Sequence, residues 1–200
     1  KYSTDNTNWS TTIPTKTNTG TYSVYFKVAG DSNHNDSNVG QVTVMIASGS
    51  IQASTTNGNT TYTGNATNGG AKVTVITPTS GYTIKYGTSI GGYDSATIPT
   101  FTNAGTYTVY YQITAPNYSV YNGRFDIIIS KANASVTKAP TAKSLTYSGS
   151  SQELVNAGTG TGGIFKYSTD GTNWSTTIPS KTAAGAYTVY YKVIGDNNHN

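Results

Sequence analysis

The sequence predicts an all-β chain of sandwich repeats, about 80–85 residues each, arranged end to end. Three observations predict it. One strand-like stretch occurs three times, as Gly20-Thr21-Tyr22-Ser23-Val24-Tyr25-Phe26-Lys27-Val28, as Gly105 to Ile113 and as Gly185 to Val193, each six residues after an Ile-Pro pair. Within it, apolar and polar residues alternate with the period of a strand. Finally, the composition favours a pleated surface joined by tight turns, with 17 Tyr, 22 Gly, abundant Thr, Ser and Asn, and 10% charged residues. In the first copy Tyr22, Val24, Phe26 and Val28 share one face, and a one-residue slip would turn that face outward.

Residues 1–49 read as the C-terminal part of a repeat. Residues 1–35 match residues 166–200 at 26 of 35 positions, the trace of a duplication. A polar loop, Gly30-Asp31-Ser32-Asn33-His34-Asn35, follows the first copy of the strand, and Gln41–Ile46 is the closing strand. Residues 50–131 read as the one complete repeat. Its strands are expected near Ile51–Thr55, Lys72–Ile76, Tyr82–Tyr86, Gly105–Ile113 and Arg124–Ile129, with turns at Tyr62-Thr63-Gly64 and Gly91-Gly92-Tyr93-Asp94. Short strands with turn signals about every ten residues are the pattern of an antiparallel sandwich. Residues 132–200 read as the N-terminal part of a third repeat, with its last strand missing. The expected linkers, near 47–51 and 130–134, are short, as in a stiff rod. The chain thus reads as a window on a longer array. Alternatively, head-to-tail copies complete one another by lending a strand.

The spacing of Gly and Tyr carries a resemblance. Tyr22, Tyr107 and Tyr187 stand at a strand entry, two residues before the core positions Val24, Val109 and Val189. This resembles the tyrosine corner of immunoglobulin folds, in which the hydroxyl bonds back to the preceding corner. The longer pattern, Lys166-Tyr167-Ser168-Thr169-Asp170-Gly171-Thr172-Asn173-Trp174-Ser175 through Ile178-Pro179 to His199-Asn200, resembles the immunoglobulin-like repeats of the mostly-bacterial type. The middle repeat departs most, lacking the Trp-Ser pair and the Asp-x-Asn-His-Asn loop. The resemblance implies tandem immunoglobulin-like sandwiches in a large bacterial surface protein or adhesin, outside the cell. It brings no catalytic residues with it.

Chemistry is sparse. No site residue is assigned to catalysis, to a cofactor or to a metal, and no cofactor is expected. Glu153 is the lone Glu, Asp94 and Asp126 have no partner acid at a recognisable spacing, and Cys is absent. Asp31, Asn33, Asn35 and Asp36 beside His34, and Asp196 beside His199, offer a weak calcium constellation with too few carboxylates. A turn bonding its own backbone suits them better. Asp5-Asn6-Thr7-Asn8 and Asp170-Gly171-Thr172-Asn173 begin like a calcium loop but lack its Glu, and a hairpin turn accounts for them. Trp9 and Trp174, near Tyr2 and Tyr167, with Tyr25, Tyr110 and Tyr190, could stack on glycans or a host protein; packing is the plainer reading. Lys72, Lys85 and Asn133 are candidates for a covalent Lys–Asn bridge, though no motif singles them out.

The net charge of +4 comes from 12 scattered Lys and Arg, which argues against a nucleic-acid partner. No apolar run is long enough for a membrane span. The expected partners are neighbouring repeats, or copies of the chain itself. The expected role is a stalk or fibre-forming array, with glycan or host-protein binding as the alternative and filament assembly by strand exchange as a further one.

Overall fold

Alternating Tyr, Val and Thr become strands because β-branched and aromatic side chains stand well on a pleated surface. The computed structural model describes residues 1–200, and the chain is all-β, with 46% strand and no helix, consistent with a sandwich-like fold. Its strands are β1 (Tyr2–Ser3), β2 (Gly20–Phe26), β3 (Gly40–Ile46), β4 (Gln52–Thr56), β5 (Gly58–Thr61), β6 (Lys72–Thr77), β7 (Thr83–Gly87), β8 (Gly105–Thr114) and β9 (Tyr121–Ser130). They continue with β10 (Ser135–Lys138), β11 (Thr141–Ala142), β12 (Gln152–Glu153), β13 (Val155–Asn156), β14 (Thr159–Thr161), β15 (Gly163–Ser168), β16 (Ser180–Lys181) and β17 (Tyr190–Gly195).

The order β1-β2-β3 makes the first sheet, with Tyr22 opposite Val44 and Val24 opposite Val42. The largest has the order β5-β9-β8-β7, and β4 pairs with β6. Strands β15 and β17 pair antiparallel from Gly163↔Gly195 to Ser168↔Tyr190. Small pairs, β10 with β14, β11 with β13 and β12 with β16, complete the C-terminal third.

Two elements differ from expectation. Strand β5 runs parallel to β9, Gly58 opposite Ile127 through Thr61 opposite Ser130. The expected sandwich was antiparallel throughout, and Gly58-Asn59-Thr60-Thr61 has no alternation to reveal a strand. The third copy of the key stretch was expected to be strand from Gly185. It enters a strand only at Tyr190. In the first two copies the N-terminal half of this strand pairs with the closing strand: Gly20, Thr21 and Tyr22 lie opposite Ile46, Met45 and Val44. No strand of this chain lies against residues 185–189, so their alternation alone does not make a ladder.

The chain forms two compact units. The first comprises residues 1–54, 74–84 and 112–122; Ile51, Ile113 and Ser3 are buried in it. The second comprises residues 55–73, 85–111 and 123–200. Its core holds Val73, Tyr86, Val109, Tyr111, Phe125, Ile127 and Ile129, with Val155 and Tyr167 also buried. Phe125 sits between two tyrosines, its ring centre 6.5 Å from Tyr86 and 6.1 Å from Tyr111. Aromatic pairs at this spacing contribute beyond their buried area.

Candidate functional site

The most regular local structure lies at the entry to β2, at the entry to β8 and at the matching residues 185–187. Each begins with a glycine and folds a tyrosine back over it. The Tyr22 hydroxyl donates to the Asn18 carbonyl at 2.8 Å, Tyr107 to Asn103 at 2.9 Å and Tyr187 to Ala183 at 2.9 Å. The glycine has two reasons to be there. Gly20 has φ +149°, which L side chains rarely adopt, and a Cβ on it would stand 3.3 Å from the Tyr22 hydroxyl oxygen. The outer face of each ring is covered from the same sequence position, six residues earlier. Lys16 and Lys181 place their ammonium groups 5.6 and 5.7 Å from the ring centres of Tyr22 and Tyr187. Phe101 stacks on Tyr107 at 4.0 Å, nearly parallel. The corner is thus a small closed structure that tolerates either a cation or an aromatic ring as its lid.

Two of these corners receive a loop. Asn117, with φ +64°, turns its side chain onto the first corner. Its Oδ1 accepts from the Thr19 N–H at 2.9 Å, and its Nδ2 donates to Asn18 Oδ1 at 3.2 Å. The adjoining backbone takes up Gly49: the Gly49 N–H donates to the Asn117 carbonyl, and the Ser119 N–H donates to the Gly49 carbonyl, both at 2.9 Å. The second corner has the same set. Asn198 Oδ1 accepts from the Ala104 N–H at 2.8 Å, and Asn198 Nδ2 donates to Asn103 Oδ1 at 3.2 Å. The Ala132 N–H donates to the Asn198 carbonyl at 2.9 Å and the Asn200 N–H to the Ala132 carbonyl at 2.8 Å. Gly49 and Ala132 each form an isolated parallel bridge, to Tyr118 and His199 respectively. Lys131 adds donors to the Asp196 and His199 carbonyls at 3.1 and 3.4 Å, and the His199 ring meets Tyr62 edge-on at 5.2 Å. Each corner, loop and linker together form a joint of two main-chain bonds and two side-chain amide bonds.

The loop carboxylates are taken up by their own neighbourhoods. Asp31 Oδ1 accepts from the Asn33 N–H and contacts His34 Nδ1, both at 2.8 Å; these bonds, the first the larger, lower its pKa. Asp36 is lowered first by the Lys27 ammonium at 2.6 Å and then by the Gly30 N–H. Asp196 is lowered by His199 Nδ1 at 2.7 Å and then by the Asn198 N–H at 2.8 Å. Asp31 and Asp36 therefore face different partners rather than one shared cation position. No group of three or more His, Cys, Asp or Glu side chains comes together.

The two Asp-led loops are near-identical hairpin ends. Asp170 Oδ1 accepts from the Thr172 and Asn173 N–H groups and from Ser168 Oγ, while its Oδ2 accepts from Asn173 Nδ2. Asp5 repeats this with Ser3, Thr7 and Asn8. A carboxylate receiving this many donors is held far below the usual carboxylate range, through Asn8 first for Asp5 and Asn173 first for Asp170. The next residue takes positive φ, Gly171 at 77° and Asn6 at 61°, which Gly and Asn tolerate best. These bonds turn the carboxylate toward its own backbone, where it shapes the turn.

The half-buried indoles lie under lysines: Lys27 Nζ is 4.6 Å from the Trp9 ring centre and Lys192 Nζ is 4.1 Å from that of Trp174. Among the remaining candidates, Asp126 accepts from Thr108 Oγ1 at 2.8 Å, and Glu153 pairs with Lys143 at 2.8 Å. Asp94 is exposed, in the segment between β7 and β8. Lys72 and Lys85 are exposed, and the Asn133 carboxamide accepts from Asn200 at 3.4 Å. Tyr25 and Tyr110 are half-buried and Tyr190 is exposed. No protein-family model, no curated protein and no solved structure matches this chain.

Proposed function

We propose that the chain is part of a stalk or fibre-forming array in a bacterial extracellular or cell-surface protein, built from tandem immunoglobulin-like repeats with boundaries near residues 49 and 131. The observation that carries this reading is the recurrence of one joint. Asn117 meets Asn18, Thr19 and Gly49 as Asn198 meets Asn103, Ala104 and Ala132, through the same two amide and two main-chain bonds, with the Thr19 hydroxyl adding one more to Asn117 Oδ1 at 3.3 Å. A joint that repeats with the sequence sets the same geometry at every step, and its task is mechanical: each repeat adds length and stability through its own core and its neighbours. Each side chain in the joint is spent on holding the next segment, which fits a spacer better than an open cleft. The resemblance to mostly-bacterial immunoglobulin-like repeats supplies the location. Small-angle scattering on chains with two, four and six copies of the period tests it. The longest dimension should grow linearly with copy number; a particle that stays compact as copies are added would sink the reading.

Glycan or host-protein binding is the second reading, favoured by two indoles at matching positions. The lysines over Trp9 and Trp174 weigh toward packing, since a sugar would have to displace them. Trp174→Ala separates the two. A stalk loses about 1–3 kcal/mol of stability with no ligand to lose. A binder keeps its fold and loses retention on immobilised polysaccharide.

A further inference from the structure

One half of the joint occurs a third time, without a partner. Asp31-Ser32-Asn33-His34-Asn35 differs from Asp196-Asn197-Asn198-His199-Asn200 only at its second residue. Both loops are held alike internally, with His Nδ1 on the Asp carboxylate and the Asn N–H on the same oxygen. They differ in what lies against them. The His199 side chain is 19% exposed, packed on Tyr62 and bridged to Ala132, whereas that of His34 is 78% exposed. Asn198 uses its side chain on Asn103 and Ala104; the Asn33 side chain has no such acceptor or donor in this chain.

We propose that Asn33-His34-Asn35 is a docking surface whose partner is the tyrosine corner and linker of another repeat of this kind. The partner's chemistry can be written from the occupied joint. It offers a backbone N–H one residue before the corner glycine, an Asn carboxamide before that, and a small linker residue giving one N–H and one carbonyl. A tyrosine ring edge and a linker lysine complete it, as Tyr62 and Lys131 do here. The proposal rests on the tandem-array reading.

The test is a fusion. Because residues 166–200 match 1–35, joining residue 165 of one copy to Lys1 of a second keeps the phase of the repeats. The first copy carries His34→Gln, so that a single His34 remains, and the rate of imidazole modification by diethyl pyrocarbonate is read by peptide mass spectrometry. In the unfused chain His34 reacts several-fold faster than His199. In the fusion His34 slows to the rate of His199, and Asn103→Ala in the first copy speeds it again while His199 stays protected. A His34 that keeps its fast rate beside a protected His199 overturns the proposal.

A misfolded fusion shows itself by a reactive His199, and the unfused chain then decides. At rising concentration, amide shifts at Asn33–Asn35 and Ala184, larger in the Ala183→Asn variant that restores the corner carboxamide, support docking on a second copy. Because residues 185–189 lack a closing strand and linker, the chain used carries residues 36–54 of a second copy after Asn200, which keeps the phase, and absence of the shifts up to millimolar concentration overturns the proposal. Scattering on the fusion separates the two readings: a flexible particle with protected His34 ends the stiff stalk and keeps the docking surface, and a rigid extended particle with reactive His34 does the reverse.

Discussion

Strands β8 and β9 repeat the alternation of β2 and β3, yet the two pairs are buried very differently. Tyr111, Phe125 and Ile127 are buried. Their counterparts are not: Phe26 is 43% exposed, Val42 49% and Val44 47%. The β2–β3 face is as apolar as the β8–β9 face and in perfect register, Val24 opposite Val42 and Tyr22 opposite Val44. Alternation therefore tells which face is meant for the core, and burial depends on whether another layer covers it. Strand β9 is covered along its outer edge by parallel β5, while β3 is the edge of its sheet. An edge strand with an apolar face is an invitation to a further strand or layer.

This contrast can be broken most directly in the cores. Ile127→Ala should cost about 2–5 kcal/mol in urea unfolding, the range for deleting a buried aliphatic side chain. Val44→Ala should cost less than about 1 kcal/mol, since half its surface is already wet. Equal losses would mean that the β2–β3 face is covered in solution, and would point to association between chains.

The corners sharpen the comparison from the other side, because their bonds are local and independent of what covers the sheet. Tyr22→Phe, Tyr107→Phe and Tyr187→Phe should each lose about 1 kcal/mol, the usual worth of one hydroxyl bond. A loss confined to Tyr107→Phe would show that the corner matters only on a well-covered strand.

The smallest effect belongs to the Asp-led loops. The carboxyls of Asp5 and Asp170 sit below their unfolded value, near 3.9. A group lowered in the folded state contributes stability above its unfolded pKa, and that contribution fades as pH falls through the folded value. Thermal midpoints should thus be flat from pH 7 to about 5 and fall below about pH 4. Asp170→Asn should lower the neutral-pH midpoint slightly and flatten the acid limb. An acid limb that is unchanged in this variant would assign the effect to other carboxylates.

Much of this was legible in the sequence. The period-2 alternation located β2, β3, β6 and β8 within one or two residues of their ends, because each has a β-branched or aromatic residue at nearly every second position, and found β9 three residues late at its start, where Gly123 interrupts the pattern. The Gly-x-Tyr spacing located the corner, since at Gly20 and Gly105 the backbone takes a φ that favours glycine just where the ring folds back. Strand β5 was hidden because Gly58-Asn59-Thr60-Thr61 earns its place through main-chain pairing with β9, which leaves no side-chain pattern. The third key stretch was over-read for the complementary reason: residues 185–189 have the alternation and lack the pairing. The joint was the largest omission. Its loops read as ordinary turns, and half of its bonds are made by backbone groups, invisible to any search by residue type. The signal available was an asparagine at matching places in two loops of different length, Asn117 and Asn198, after the same strand.

The linker bonds at Gly49 and Ala132 use only main-chain N–H and C=O groups. A contact of that kind has no lock and key to lose. One linker residue is glycine and the other alanine, the incoming ring is tyrosine in one case and histidine in the other, and the bonds are the same. In the array proposed above, a gene that gained or lost a whole period would bring new neighbours together partly through groups every residue but proline carries. In that array length would change in whole steps, and only the carboxamide contacts, such as Asn117 on Asn18, would ask for a particular side chain where old and new copies touch.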